Sequence, residues 1–379
     1  MIPYGRQHIS SADIDAVVEV LRSDWLTQGP AVPKFEEALA GYCDARHAVA
    51  VGSATAALHV AYAGLGLGPG DVLWTSPITF VATANAARYC GADVDFVDID
   101  PMTRCMSVDA LAGKLREAES RGRLPKIVVP VHFAGQSCDM AAVRALADRY
   151  GFRVVEDACH ALGGQYGSRP VGSCCHSDAA VFSFHPVKSI TTGEGGAVLT
   201  NDGALAARMA RLRSHGITRD PEEMEGEGEG GWYYQQVELG WNYRMTDIQA
   251  ALGTSQLQRL DDFVAKRRAL AVRYDHLLSG LPLRRPLLDG DSAWHIYAVC
   301  VAGADRRTIY DLLRSTGIGV GVHYIPVHLQ PAYRRLDFKP GAFPEAEAYY
   351  AGALSLPLYP DLSENEQECV VGFLQQSML

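Results

Sequence analysis

Lysine is scarce in this 379-residue chain: six (positions 34, 114, 126, 188, 266 and 339) stand against twenty-eight arginines. A chain whose surface cations are arginines has little routine use for a lysine between two apolar stretches, and Lys188 occupies such a place. No run of about 18 apolar residues occurs, so no membrane span is expected. The nine cysteines are scattered without a Cys-x-x-Cys spacing, which argues against a disulfide framework and against a metal site. The opening Met1-Ile-Pro-Tyr-Gly-Arg6 has no apolar core of the signal-peptide kind; with unpaired thiols this predicts a cytoplasmic protein. Excess positive charge is missing too. A net charge of −10 argues against nucleic acid and anionic membrane as general partners, while single arginines remain free to hold an anionic small molecule.

What is present is a globular composition, 48% hydrophobic and 21% charged, in a chain long enough for one large α/β unit and a smaller one. Residues 10–22 and 33–43 have helical spacing, Ser10 or Ser11 capping the first. From 47–51 onward, strand-like runs (71–75, 93–98, 126–132, 152–156, 179–184, 197–200) alternate with helix-like stretches (54–65, 80–90, 107–119, 139–150, 203–213). Short apolar strands separated by helices predict βαβ units and a mostly parallel sheet covered on both faces. Residues 220–231 are acidic and glycine-rich and read as a mobile surface insertion. A long helix over about 246–279, broken near 260, leads into a second unit with strands at 294–302 and 318–324 and helices at 305–316 and 363–376. The expected division is therefore 1–250 and 251–379.

Four stretches carry chemistry. In 178–196 a buried strand delivers Ser183, the chain breaks at Pro186, and Lys188 follows in a Ser/Thr/Gly loop before a second strand. Desolvation there would lower the lysine's pKa and free its amine as nucleophile and proton carrier; a solvated loop lysine is the plainer alternative. In Gly52-Ser53-Ala54-Thr55 a strand passes into a helix within two residues. Its free N–H groups and hydroxyls suit a phosphate, and equally an ordinary helix cap. Asp157, at the end of the strand 152–156, stands where ligands bind in open α/β sheets and could pair with a positively charged ring nitrogen. His160, three residues on, could orient that ring or Asp157 itself. Phe80 opens a helix after a strand and could lie on a planar ligand, or be core.

Taken in order, Gly-Ser-Ala-Thr, Thr-Phe, Glu-Asp-Ala-x-His-Ala, Ser-Phe-His-Pro-x-Lys, Gly-Glu-Gly-Gly and Asn-Tyr-Arg-Met-x-Asp-x-Gln-Ala-Ala resemble the DegT/StrS-type aminotransferases over about residues 3–360. The resemblance implies PLP fold type I, with a large domain on a mixed, mostly parallel sheet and a smaller C-terminal α/β domain. It also implies pyridoxal 5'-phosphate as cofactor. Lys188 would bind the cofactor covalently, Asp157 would hold its ring nitrogen protonated, His160 would lie beside the ring and Phe80 would stack on it. Ser53, Ala54, Thr55 and Ser183 would hold the phosphate. Asn242 would reach the partner's phosphate in a homodimer with shared active sites. The stretches Leu26–Gly29, Arg213–Gly216 and Val322–Pro326 are similar to the branch that aminates a UDP-linked 4-keto-6-deoxy hexosamine for pseudaminic acid-type glycans, with L-glutamate as donor. There Arg213, His323 and Tyr324 would lie near the sugar nucleotide.

Three rival readings are weaker. A nicotinamide-binding turn at Gly64–Gly70 fails because Pro69 and Asp71 fall where the third glycine of Gly-x-Gly-x-x-Gly belongs. A dehydratase of the same family would carry histidine in place of Lys188. A non-catalytic scaffold would not retain the lysine, the aspartate and the hydroxyls together.

Overall fold

The computed structural model describes residues 1–226, 228–301 and 305–378. Seven strands form the main sheet in the spatial order 47–51, 196–200, 179–183, 153–157, 127–129, 72–75, 93–96. The five from Ala179–Ser183 to Asp93–Phe96 are mutually parallel, and Gly196–Thr200 runs antiparallel to both its neighbours. The expected mixed, mostly parallel sheet is what forms. The reason is legible in the strands: Ile127–Val129 and Gly196–Thr200 are buried at every position, because helices cover both faces. Helix Ala54–Gly64 is buried along most of its length between sheet and neighbouring helices.

Local chemistry sets the element ends. Ser10 and Thr246 each close a capping box at the starts of helices Ser11–Leu21 and Asp247–Leu257. The buried carboxylate of Asp247 also accepts from the N–H groups of Gly29 and Ala31 at 2.8 and 2.7 Å, tying down the proline-bounded loop before helix Ala31–Tyr42. The expected long helix is two, Asp247–Leu257 and Leu260–Leu277, with the break at 258–259.

A three-stranded antiparallel sheet, Leu283–Arg284, Tyr297–Val301 and Ala353–Leu356, centres the C-terminal part, flanked by helices Arg306–Ser315 and Glu364–Gln376. Here one expectation is corrected. Residues 318–324 form no strand; Ile318 makes a single bridge to Ile2 and Gly321 one to Ser355. Gly319 and Gly321 weaken a strand, Pro326 ends it, and a Cβ on Gly319 would meet the Tyr4 nitrogen at 2.8 Å. The third strand is instead Ala353–Leu356, which follows directly on helix Pro344–Gly352. Position 302, the end of the expected 294–302 strand, and Glu227 in the 220–231 stretch lie outside the described residues. Around Glu227, Glu223 pairs with Arg211, and the Glu225 N–H donates to the Gln235 side chain.

Candidate active site

The chemistry-bearing residues converge at the C-terminal ends of the parallel strands, the ligand end of such sheets. Ser183 ends its strand opposite Gly196, and Gly196 is in turn opposite Val51, the last residue before the Gly52–Thr55 turn. A Cβ on Gly196 would meet the Ala54 nitrogen at 2.6 Å, so only glycine lets the helix start come this close to the sheet. Ser53 caps that helix through the Ala56 N–H at 3.2 Å, and Ala57 bonds back to the Ser53 carbonyl. Among the described residues, the N–H groups of Ala54 and Thr55 are left without a protein acceptor, two donors at a positive helix end. With the Thr55 and Ser183 hydroxyls they make a cradle that fits a phosphate.

The loop carrying Lys188 is tied at its base. Phe184 N–H bonds the Gly195 carbonyl, and the Phe184 carbonyl accepts from both the Thr191 hydroxyl and the Thr192 N–H at 3.0 Å. His185 and Glu194 shape this loop through their backbone: His185 O accepts from Lys188 N–H, and Glu194 O accepts from Thr192 Oγ1 and Gln249 Nε2. Lys188 keeps part of its surface open to the cleft, yet the protein packed around Nζ is dense enough that desolvation dominates. Desolvation lowers its pKa, with attraction to Cys159 and Asp157 acting the other way.

Asp157 is 5% exposed at the end of strand Arg153–Asp157. Its Oδ2 accepts from Thr83 Oγ1 at 2.6 Å and its Oδ1 from the Cys159 N–H at 3.3 Å, leaving lone pairs for a cationic ring nitrogen. His160 is buried; its Nδ1 accepts from the Ala134 N–H at 3.3 Å, which places the ring proton on Nε2, donating to Tyr324 Oη at 3.0 Å. Burial first, then the charge of Lys188 and the neighbouring His323, push His160 well below the ordinary histidine range. Tyr324 stacks on His160 at 6.0 Å and faces Phe80 at 6.3 Å. Phe80 is 59% exposed: it is not core, and its ring is open to the cleft. His323 Nδ1 meets Ser355 Oγ at 2.8 Å, and desolvation with the nearby Lys188 lowers its pKa to about 4.

Of the expected site residues, Arg213 is engaged elsewhere, and Asn242, expected at the partner's phosphate, is described on its own protomer only. Arg213 is held by Glu36 and by the Ala50 carbonyl, the latter at 2.6 Å, while Glu36 also accepts the Ala50 N–H at 2.8 Å. Strand His47–Val51 is a sheet edge, so this pair satisfies backbone groups that would otherwise lack partners. Asn242 is exposed, on the segment whose Tyr243 carbonyl takes the Gly52 N–H at 2.8 Å.

The structure adds residues not singled out in the sequence. Thr83 and Thr79 stand behind Asp157, with their hydroxyls 2.7 Å apart. His295, buried, lies 4.5 Å from the His160 ring with Nδ1 sealed and unpartnered among the described residues. An i, i+4 pair of threonines opening a helix is a signal that could have found the first two. A lone histidine just before the apolar strand Tyr297–Val301 gives none. Gly64–Gly70 is a turn between helix Ala54–Gly64 and strand Val72–Thr75, closed by the Asp71 carboxylate on the Gly68 N–H.

This combination of a desolvated amine, a buried carboxylate with spare lone pairs, a phosphate cradle and an open aromatic fits pyridoxal 5'-phosphate. The chain is 42% identical to the Bacillus subtilis spore coat polysaccharide biosynthesis protein SpsC, with 98% of this chain and 95% of that protein aligned. Helicobacter pylori PseC, an aminotransferase of pseudaminic acid biosynthesis, superposes with a TM-score of 0.91 at 32% identity, over 100% of this chain and 99% of the other. NtdA of Bacillus subtilis, solved with its cofactor pyridoxamine phosphate, gives 0.85 at 29% identity over 98% and 83%. With the profile of the DegT/DnrJ/EryC1/StrS aminotransferases matching residues 7–375, the chain belongs to that family and is a pyridoxal-phosphate-dependent sugar aminotransferase.

Proposed function

We propose that the protein transfers the amino group of L-glutamate to a UDP-linked 4-keto-6-deoxy hexosamine, giving a 4-amino sugar nucleotide for pseudaminic acid-type surface glycans. The observation that carries this reading is the wall beside Lys188, where His323 and Tyr324 are both uncharged in the fold and partly open, a lining suited to the hydroxyls of a neutral sugar ring. The likeness to PseC over the whole chain supports the same choice.

In this reading Ser53, Ala54, Thr55 and Ser183 hold the phosphate, Asp157 the ring nitrogen, and His160 and Phe80 the ring. His323 and Tyr324 meet the sugar. Arg213 enters the reading as the brace of the strand edge beside the site. When bound, the cofactor supplies an electron sink for the carbanion left at the reacting carbon. Desolvation favours the neutral amine of Lys188, whose Nζ, once freed by glutamate, would take the Cα proton of glutamate and later deliver one to C4 of the sugar. Asn242, exposed on its own protomer, completes the partner's phosphate site, so the working unit is a cytoplasmic homodimer of chains divided at about residue 250. No helix among the described residues is long and apolar enough to cross a membrane.

The test is a panel of UDP- and dTDP-linked 4-keto sugars with glutamate, following 2-oxoglutarate release. Turnover with the UDP-linked 4-keto-6-deoxy hexosamine is expected; turnover with dTDP-sugars alone rejects the substrate choice. The likeness to SpsC favours one second reading, an aminotransferase for another UDP- or dTDP-keto-sugar of a surface polysaccharide, which the same panel distinguishes.

A further inference from the structure

Asp157 is buried, and its contacts run on into the protein. Thr83 Oγ1 has one proton and three acceptors in reach, Asp157 Oδ2 at 2.6 Å, the Thr79 hydroxyl oxygen at 2.7 Å and the Phe80 carbonyl at 3.2 Å. The carboxylate contact is shorter and charge-assisted, so it takes the proton. Thr83 can then only accept from Thr79, whose hydroxyl is 2.7 Å away. Both threonines are buried, at 2% and 1% exposure, so water does not substitute for either. The backbone is pinned as well, because Tyr62 Oη donates to the Thr83 carbonyl at 3.2 Å.

We propose that Thr79 and Thr83 form a directed hydroxyl relay, Thr79 to Thr83 to Asp157, that orients the Asp157 carboxylate and spreads its charge. The ring nitrogen of the cofactor thereby keeps its proton. The inference rests on Asp157 being the partner of that nitrogen. Thr83 and Thr79 are positioning residues: they act through Asp157. Without the relay the carboxylate is a stronger base that competes for the ring proton, and it is free to rotate. Hydrogen bonds in series polarise one another, so Thr79 strengthens the bond that Thr83 makes.

The experiment uses holoenzyme reconstituted with cofactor labelled with ¹⁵N at the ring nitrogen. Thr83→Val, nearly isosteric, moves the ¹⁵N shift toward that of an unprotonated ring, speeds cofactor loss on dialysis and slows both half-reactions by about 10-fold or more, with the sugar KM within about twofold. Thr83→Ser restores all of these. Thr79→Val moves the shift in the same direction by less. The Thr79→Val/Thr83→Val pair matches Thr83→Val alone, since residues in one chain are not additive. A wild-type ¹⁵N shift in Thr83→Val overturns the relay, as does an increment from Thr79→Val that persists in the double variant. Should Thr83→Val fail to fold, Thr79→Val and Thr83→Ser carry the same test. Asp157→Asn separates the premise: an unmoved ¹⁵N shift there removes Asp157 as the ring partner, whereas a moved shift there with none in Thr83→Val removes the relay alone.

Discussion

Asp157, Ser183 and the Ser53 helix start are fixed by backbone pairing within one sheet. His323 and Tyr324 reach the cleft on a segment held by single bridges, side-chain contacts and one bond from Tyr349 Oη to the His323 carbonyl at 2.8 Å. The difference teaches where each part of the chemistry can tolerate change. The group proposed to meet the ring nitrogen, which must do so within a few tenths of an ångström, stands on a strand end, because a buried strand has no slack. The groups proposed to meet the sugar stand on an irregular segment, where a new residue or a shift changes preference without disturbing the sheet.

Substitutions at the sheet end and at the irregular wall sharpen that contrast. Lys188→Ala removes the proton carrier, and amino transfer falls by about 10²–10⁴-fold or more. Borohydride then leaves no cofactor on the chain, read by mass spectrometry; retained transamination would sink the assignment. Gly196→Ala places a Cβ 2.6 Å from a backbone nitrogen that cannot move without carrying the phosphate cradle with it. A stability loss of about 1–3 kcal/mol in urea unfolding and a several-fold faster loss of cofactor are expected.

Arg213→Ala tests whether this residue belongs to the sheet edge or to the sugar. Its side chain is 18% exposed and Glu36 17%, so partial screening reduces the value of a fully buried pair. About 2 kcal/mol of stability is expected to go, with the sugar KM unchanged; a KM rise without destabilisation would return Arg213 to the substrate.

The smallest effect is in pH dependence. His323, lowered to about 4 by desolvation, is neutral in the fold while the unfolded chain protonates near 6.5. Its neutral burial therefore contributes fully above about pH 6.5, is lost progressively down to about 4, and changes no further below that. His323→Gln should flatten the curve by about 1–2 kcal/mol at pH 5, seen as a shallower fall of Tm. His59, lowered to about 4 by burial, follows the same sign and persists in that variant.

Much of the cofactor end is legible in the chain because its signals are local. An apolar run ending in Asp157, a second ending in Ser183, and a strand passing within two residues into a helix at Ser53 each state their own geometry. Lys188 is legible by its rarity as much as by its neighbours. The 318–324 segment misleads because its apolar residues are read without the two glycines that spoil pairing. Strand Ala353–Leu356 is hidden behind a helix that leads straight into it.

The sequence by itself determined the alternating α/β pattern, the family motifs and the residues that carry charge and nucleophilicity, because periodicity and residue chemistry act over a few neighbours. Only the tertiary structure decided that Thr83 donates to Asp157 across 74 positions, that His295 lies on His160, and that Arg213 serves a strand edge. Those contacts join segments far apart in the chain, and hydrogen-bond direction and desolvation exist only once the segments are packed together.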